Sequence, residues 1–153
     1  MRANKWFSLL GVLIGSYVAP VFCTAAPCAG TNVNYTVTWE PTEISKGSTL
    51  GNWRARSVIV SNDPNAAFHL ASGECKATFV TSSDGKTRFA GSCARRDKEG
   101  DVLFEDFEGD LGKGASRFVG GTGKFAKTES KMQWTSVPLQ GGLGAAPWSG
   151  DCR

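Results

Sequence analysis

Four cysteines, Cys28, Cys75, Cys93 and Cys152, constrain this chain more than any other feature, because they form an even set downstream of a segment with the layout of a secretory signal. Arg2 and Lys5 supply a positive start, followed by an apolar run from Trp6 to Phe22 that is broken by Ser8, Gly11, Gly15, Ser16 and Pro20. The run is too short and too interrupted for stable membrane insertion, which takes about 20 apolar residues. Cys23 and Ala25 put small side chains where a signal peptidase needs them. Residues 1–25 therefore read as a secretory signal peptide and 26–153 as one exported domain. Cys23 leaves with the leader, so the odd count of five cysteines becomes four. A secreted or periplasmic destination is oxidising, and disulfides are expected there.

Four cysteines allow three connectivities. Cys75–Thr81 and Lys86–Cys93 flank Ser82-Ser83-Asp84-Gly85, and Asp-Gly between two alternating runs is a strong hairpin signal. Asp84 is the arithmetic midpoint of Cys75 and Cys93, so a hairpin centred there sets those two opposite each other. Cys28 is then left for Cys152, joining the ends of the mature chain. Zinc is the rival use of such residues, but there is no Cys-x-x-Cys pair and only one histidine, His69, so no metal is expected.

The rest of the chain reads as short strands. Val33 to Trp39 alternates Val33, Tyr35, Val37 and Trp39 against Asn34, Thr36 and Thr38, the period of a half-buried strand that Pro41 should end. Gly51–Val60 alternates likewise, and Asn62-Asp63-Pro64-Asn65 supplies a turn. Ala67–Ala71 reads as another short β run. Asp97-Lys98-Glu99-Gly100-Asp101 separates Thr87–Arg95 from Val102–Glu108, and Phe118-Val119 runs into Gly120-Gly121-Thr122-Gly123. Met132–Val137 resumes β character, after which Gly141–Pro147 reads as a loop tethered by Cys152. Glycine, at 19 of 153 residues, exceeds the average of about 7% and is scattered as turns demand. No sustained helical period occurs. Seven or eight evenly spaced strands in one domain predict an all-β, antiparallel barrel or sandwich.

The run Asp97–Asp101, the acidic strand after it, and Phe118-Val119-Gly120-Gly121-Thr122-Gly123-Lys124-Phe125-Ala126 resemble bacterial secreted proteins of the allene oxide cyclase/dirigent-like barrel group over about residues 75–135. The resemblance implies an eight-stranded, calycin-like antiparallel barrel around an apolar cavity, often assembled as a trimer. Plant members cyclise an unsaturated epoxide or steer phenoxy-radical coupling. No catalytic set of either kind is matched residue for residue.

Charge narrows the partners. Losing Arg2 and Lys5 with the leader brings the formal charge from +3 to +1, so nothing indicates a nucleic acid. Tyr35, Trp39, Trp53, Phe79, Phe89 and Trp134 are the candidates to line a pocket for a small apolar or aromatic ligand, and plain core is their ordinary use. Leu103, Glu105 and Phe107 share one strand face, so Glu105 is the one candidate for an interior, catalytic carboxylate able to give or take a proton. The bland alternative pairs it with Arg88 or Arg95 on the neighbouring strand. Arg54, Arg56, Arg95 and Arg96 form no stripe and are expected in solvent. Asp97, Glu99 and Asp101 lack the further oxygen ligands that calcium needs and read as a solvated turn. The preferred function is a secreted, disulfide-stabilised barrel that binds a small ligand or serves as a non-catalytic envelope or extracellular module, needing no cofactor. The alternatives are a cofactor-free isomerase or cyclase, and a secreted effector that binds another protein through an apolar patch at Leu139–Trp148.

Overall fold

The computed structural model describes residues 26–153; the expected signal peptide, with Cys23, lies outside the described residues. Nine antiparallel strands follow in order: β1 (Ala26–Ser45), β2 (Ser48–Ser61), β3 (Ser72–Thr81), β4 (Thr87–Arg96), β5 (Val102–Asp110), β6 (Lys113–Gly121), β7 (Ser130–Thr135), β8 (Val137–Pro138) and β9 (Leu143–Cys152). Each of β1 to β6 pairs with the next, β7 pairs with β9, and β9 returns to β1, which closes the sheet into a ring. β8 is a two-residue continuation of β7 along β9, so eight strands make the wall. Among the described residues helix is confined to two 3-10 turns, Gly123–Phe125 and Gln140–Gly142.

The β3–β4 hairpin has the expected register. Cys75 is directly paired with Cys93 and Thr81 with Thr87, and Asp84 caps the turn by accepting from Lys86 N and Ser82 Oγ. Cys75–Cys93 and Cys28–Cys152 are the two disulfides among the described residues, with sequence separations of 18 and 124 residues.

Three local expectations are corrected. Pro41 does not end β1, which runs on to Ser45 with Pro41 paired to Gly51. β9 leaves β1 at Tyr35, so from there β1 is an edge with β2 on one side only, where a missing N–H is tolerated. Ala67–Ala71 is no strand but a series of turns, with Ala71 N bonded to Phe68 O, and it drives Phe68 into the core. The Gly141–Pro147 tail is no loop either: from Leu143 on it is β9. Its glycines and alanines carry little β preference, and pairing on both sides makes it a strand. The missing N–H of Pro147 falls between the pairing of β7, which ends at Trp134–Trp148, and that of β8, which starts at Val137–Ala145.

The barrel has two unlike ends. One is plugged by Ile59, Phe68, Leu103, Phe118, Phe125, Met132 and Trp148, with Phe68 packed on Phe118 and Trp148 at centroid distances of 5.2 and 6.1 Å. The glycine-rich run between β6 and β7 clasps this end. Thr122 Oγ1 accepts from Val102 N at 2.8 Å, Asp101 Oδ2 accepts from Lys124 N at 3.2 Å, and Lys124 Nζ reaches Glu99 at 2.6 Å and also Asp97. Gly123, at φ +50°, is required because a Cβ there would collide with the Asp101 carboxylate. The acidic turn is thus solvated only in part: Glu99 is exposed as expected, whereas the Asp97 side chain is 3% exposed and engaged by Lys124. The other end is the mouth.

Candidate functional site

Inside the wall between plug and mouth lies a cavity of about 260 Å³. Period-two alternation decides who faces it on most of the wall: odd-numbered residues on β2 to β5 and even-numbered Trp134 on β7, while β9 contributes the consecutive residues Leu143 to Ala146. On β1, Asn32, Asn34 and Thr36 point in, and a bulge between Thr36 and Thr38 then reverses the parity and brings in Trp39 opposite Trp53.

That bulge separates two residues that a strict alternation would put together. Trp39 lines the cavity mouth, whereas Tyr35 stands on the outer wall, 52% exposed, with Val33 and Val37. Trp53, Phe89 and Trp134 also line the cavity. Phe79 is fully buried beneath Trp39, ring centroids 3.8 Å apart, and adds nothing to the lining. Phe107, on the strand face already noted beside Glu105, completes the belt: it meets Trp53 edge-on at 6.1 Å and Phe89 at 6.0 Å, while Phe89 stacks on Trp134 at 5.6 Å. Trp53 Nε1 donates to Thr36 Oγ1 at 3.2 Å, which fixes its ring. The Trp134 indole covers Gly109 and Gly114, where any Cβ would strike it. These glycines are the reason a tryptophan fits in that wall.

Deeper in, the lining turns polar. Glu105 is 2% exposed and forms an ion pair with Arg95, itself 1% exposed. Arg95 donates from Nε and Nη2 to Ser57 Oγ at 3.2 and 3.0 Å, and Nη2 lies 3.5 Å from Cys75 Sγ. Arg95 is therefore no solvated side chain, unlike Arg54, Arg56 and Arg96, which are exposed as expected. Glu105 is both interior and paired, combining the two placements that looked exclusive in the sequence. The Cys75–Cys93 disulfide belongs to the same lining, and Asn32 Oδ1 is buried without a hydrogen-bond partner. No charge-bearing motif announced this layer. Its only signal was that Cys93, Arg95 and Glu105 hold inward parities on adjacent strands.

His69 lies in the β2–β3 connection and contributes nothing to the cavity. Among the described residues no group of three or more histidine, cysteine, aspartate or glutamate side chains could hold a metal ion, and no helix is long and apolar enough to cross a membrane. Trp148, in the tail that suggested an exposed docking patch, is buried; Leu139 and Leu143 are exposed.

No protein-family model matches the sequence, nor does any curated protein. The structure is similar to that of an enzyme from Penicillium herquei, with a TM-score of 0.61 at 10% identity, covering 83% of this chain and 94% of that one. It is also similar to a pterocarpan synthase dirigent protein, with a TM-score of 0.52 at 14% identity, covering 98% of each chain. At such identities the likeness is one of fold, and activity does not travel with it. Ring closure and strand order make the chain a disulfide-stabilised antiparallel β-barrel, and its fold resembles that of the dirigent protein.

Proposed function

We propose that the protein is an exported binding barrel that holds one small, mostly apolar or aromatic molecule between its aromatic belt and the Arg95–Glu105 layer. The observation that carries this reading is the cavity itself: a concave apolar space, open at the mouth, with a few convergent polar groups at its floor is the usual form of a small-molecule site. Trp39, Trp53, Phe89, Phe107 and Trp134 offer ring faces and edges to a planar ligand. Two disulfides, one of them joining the chain ends, favour an oxidising compartment and hence export.

Three of the five wall residues are tryptophans, so occupancy is readable by their emission. Titration with the neutral probe N-phenyl-1-naphthylamine should give saturable energy transfer from tryptophan, and Trp53→Ala should weaken it about ten-fold. Native mass spectrometry of the purified protein should retain a small apolar or aromatic mass. A protein that is empty and shows no saturable uptake of the probe would overturn the reading.

A second reading, a cofactor-free isomerase or cyclase, is favoured by one observation: Glu105 is buried in the lining of the same cavity, where a carboxylate can meet a bound substrate. Glu105→Gln separates the two. Probe binding should survive the change within about three-fold, whereas acid–base turnover of any retained compound should fall by about 100-fold or more.

A further inference from the structure

We propose that the Cys75–Cys93 disulfide is a thiol-exchange site entered through the cavity, taking a small uncharged thiol and carrying it on Cys93. Both cysteines belong to the cavity lining although both are buried, so the cavity is the route to their disulfide. Cys28–Cys152 lies at the plugged end, half-buried against the apolar core, and lines no part of the cavity. The two disulfides therefore differ in route: Cys28–Cys152 is approached from the outer surface, whereas Cys75–Cys93 is approached from inside the barrel past the aromatic belt.

The charges beside the two sulfurs are also unlike. Arg95 Nη2 is 3.5 Å from Cys75 Sγ. Glu105 holds the position directly opposite Cys93 on β5 and faces the same interior, where paired side chains stand about 5 Å apart. A thiolate released at Cys75 meets a guanidinium, whereas one released at Cys93 would face a carboxylate. The direction of exchange follows, since the better-stabilised sulfur is the better leaving group. The incoming thiol gives its proton to solvent, its sulfur bonds to Cys93 Sγ, and the Cys75–Cys93 bond breaks with its electron pair going to Cys75. One disulfide is consumed and one mixed disulfide is formed, so no separate oxidant or reductant is needed. The apolar belt that the thiol must pass selects against charge.

The test uses the oxidised protein with any free thiol first capped by N-ethylmaleimide. It is incubated with β-mercaptoethanol under native conditions, quenched in acid, capped with isotopically labelled N-ethylmaleimide and mapped by peptide mass spectrometry, with circular dichroism confirming that the fold persists. The expected product carries hydroxyethylthio on Cys93 and the labelled cap on Cys75, with Cys28–Cys152 intact. Glutathione, larger and charged, should react about ten-fold more slowly or less. Adducts first at Cys28 or Cys152, the reverse placement on Cys75, equal rates with glutathione, or no exchange before unfolding would each overturn the proposal.

Discussion

At the scale of single residues, Arg95 and Glu105 dominate, because two charges removed from water are tolerated only while they meet each other and Ser57. Glu105→Leu alone leaves a buried guanidinium without its anion and should cost about 3–5 kcal/mol in urea denaturation. Arg95→Met together with Glu105→Leu should recover most of that loss, since an apolar pair of similar volume avoids both desolvation penalties. A double variant as unstable as the single one would show that the layer is held by something other than charge compensation. Lys124 and Asp97 form the second pair of consequence. The hydrogen bond from Lys124 holds the Asp97 carboxyl below the usual range against the opposing effect of burial, and the N–H groups of Asp101 and Glu99 assist. Asp97 and Glu99 hold Lys124 above its ordinary value. A depressed carboxyl contributes stability that is complete above its unfolded value, about pH 4, and is lost as pH falls through the lower folded value. A raised lysine contributes below its unfolded value, about 10.4, and loses that contribution only as pH climbs beyond it. Neutral pH is therefore a plateau for the clasp. Asp97→Asn should flatten the acid limb of midpoint against pH while leaving the slope between about pH 6 and 9 unchanged.

At the scale of elements, the hairpin β3–β4 and the strand pair β1–β9 carry one disulfide each, and they constrain very different lengths of chain. Loop closure in the unfolded state predicts about 3 kcal/mol from the 18-residue separation of Cys75 and Cys93 and about 5 kcal/mol from the 124-residue separation of Cys28 and Cys152. Cys152→Ser should accordingly lower stability more than Cys75→Ser in reversible denaturation; equal or reversed losses would contradict the ordering. The β3–β4 hairpin is legible because its information is local: an Asp-Gly turn, alternation on both sides and two equidistant cysteines. β1 is only half legible. Its alternation shows in the sequence, but the Thr36–Thr38 bulge that sends Tyr35 out and Trp39 in does not, because a bulge is settled by the register of the partner strand.

At the scale of the whole molecule, the ring closes only when the last strand finds the first, so the β1–β9 contact joins the most distant parts of the described chain. Contacts of such separation repay their loop entropy last. With Cys28–Cys152 reduced or replaced, hydrogen exchange should accelerate first at β9 and the facing half of β1, while β3 to β5 stay protected. Uniform acceleration across the barrel would mean that closure and wall formation are a single event.

What the sequence determined by itself is what nearest neighbours and period-two patterns can encode: an all-β domain, the β3–β4, β4–β5 and glycine-rich turns, and, through one hairpin, both disulfides. The tertiary structure alone decided that a glycine- and alanine-rich tail is a strand, that Phe68 is a plug, and that Tyr35 and Phe79 are left out of the cavity lining that Trp39, Trp53, Phe89 and Trp134 share. It also placed Arg95 inside, beside Glu105 and Cys75. The physical reason is that a closed barrel assigns each side chain an inside or an outside through the register of both neighbouring strands, and one inserted residue reverses that assignment for everything beyond it.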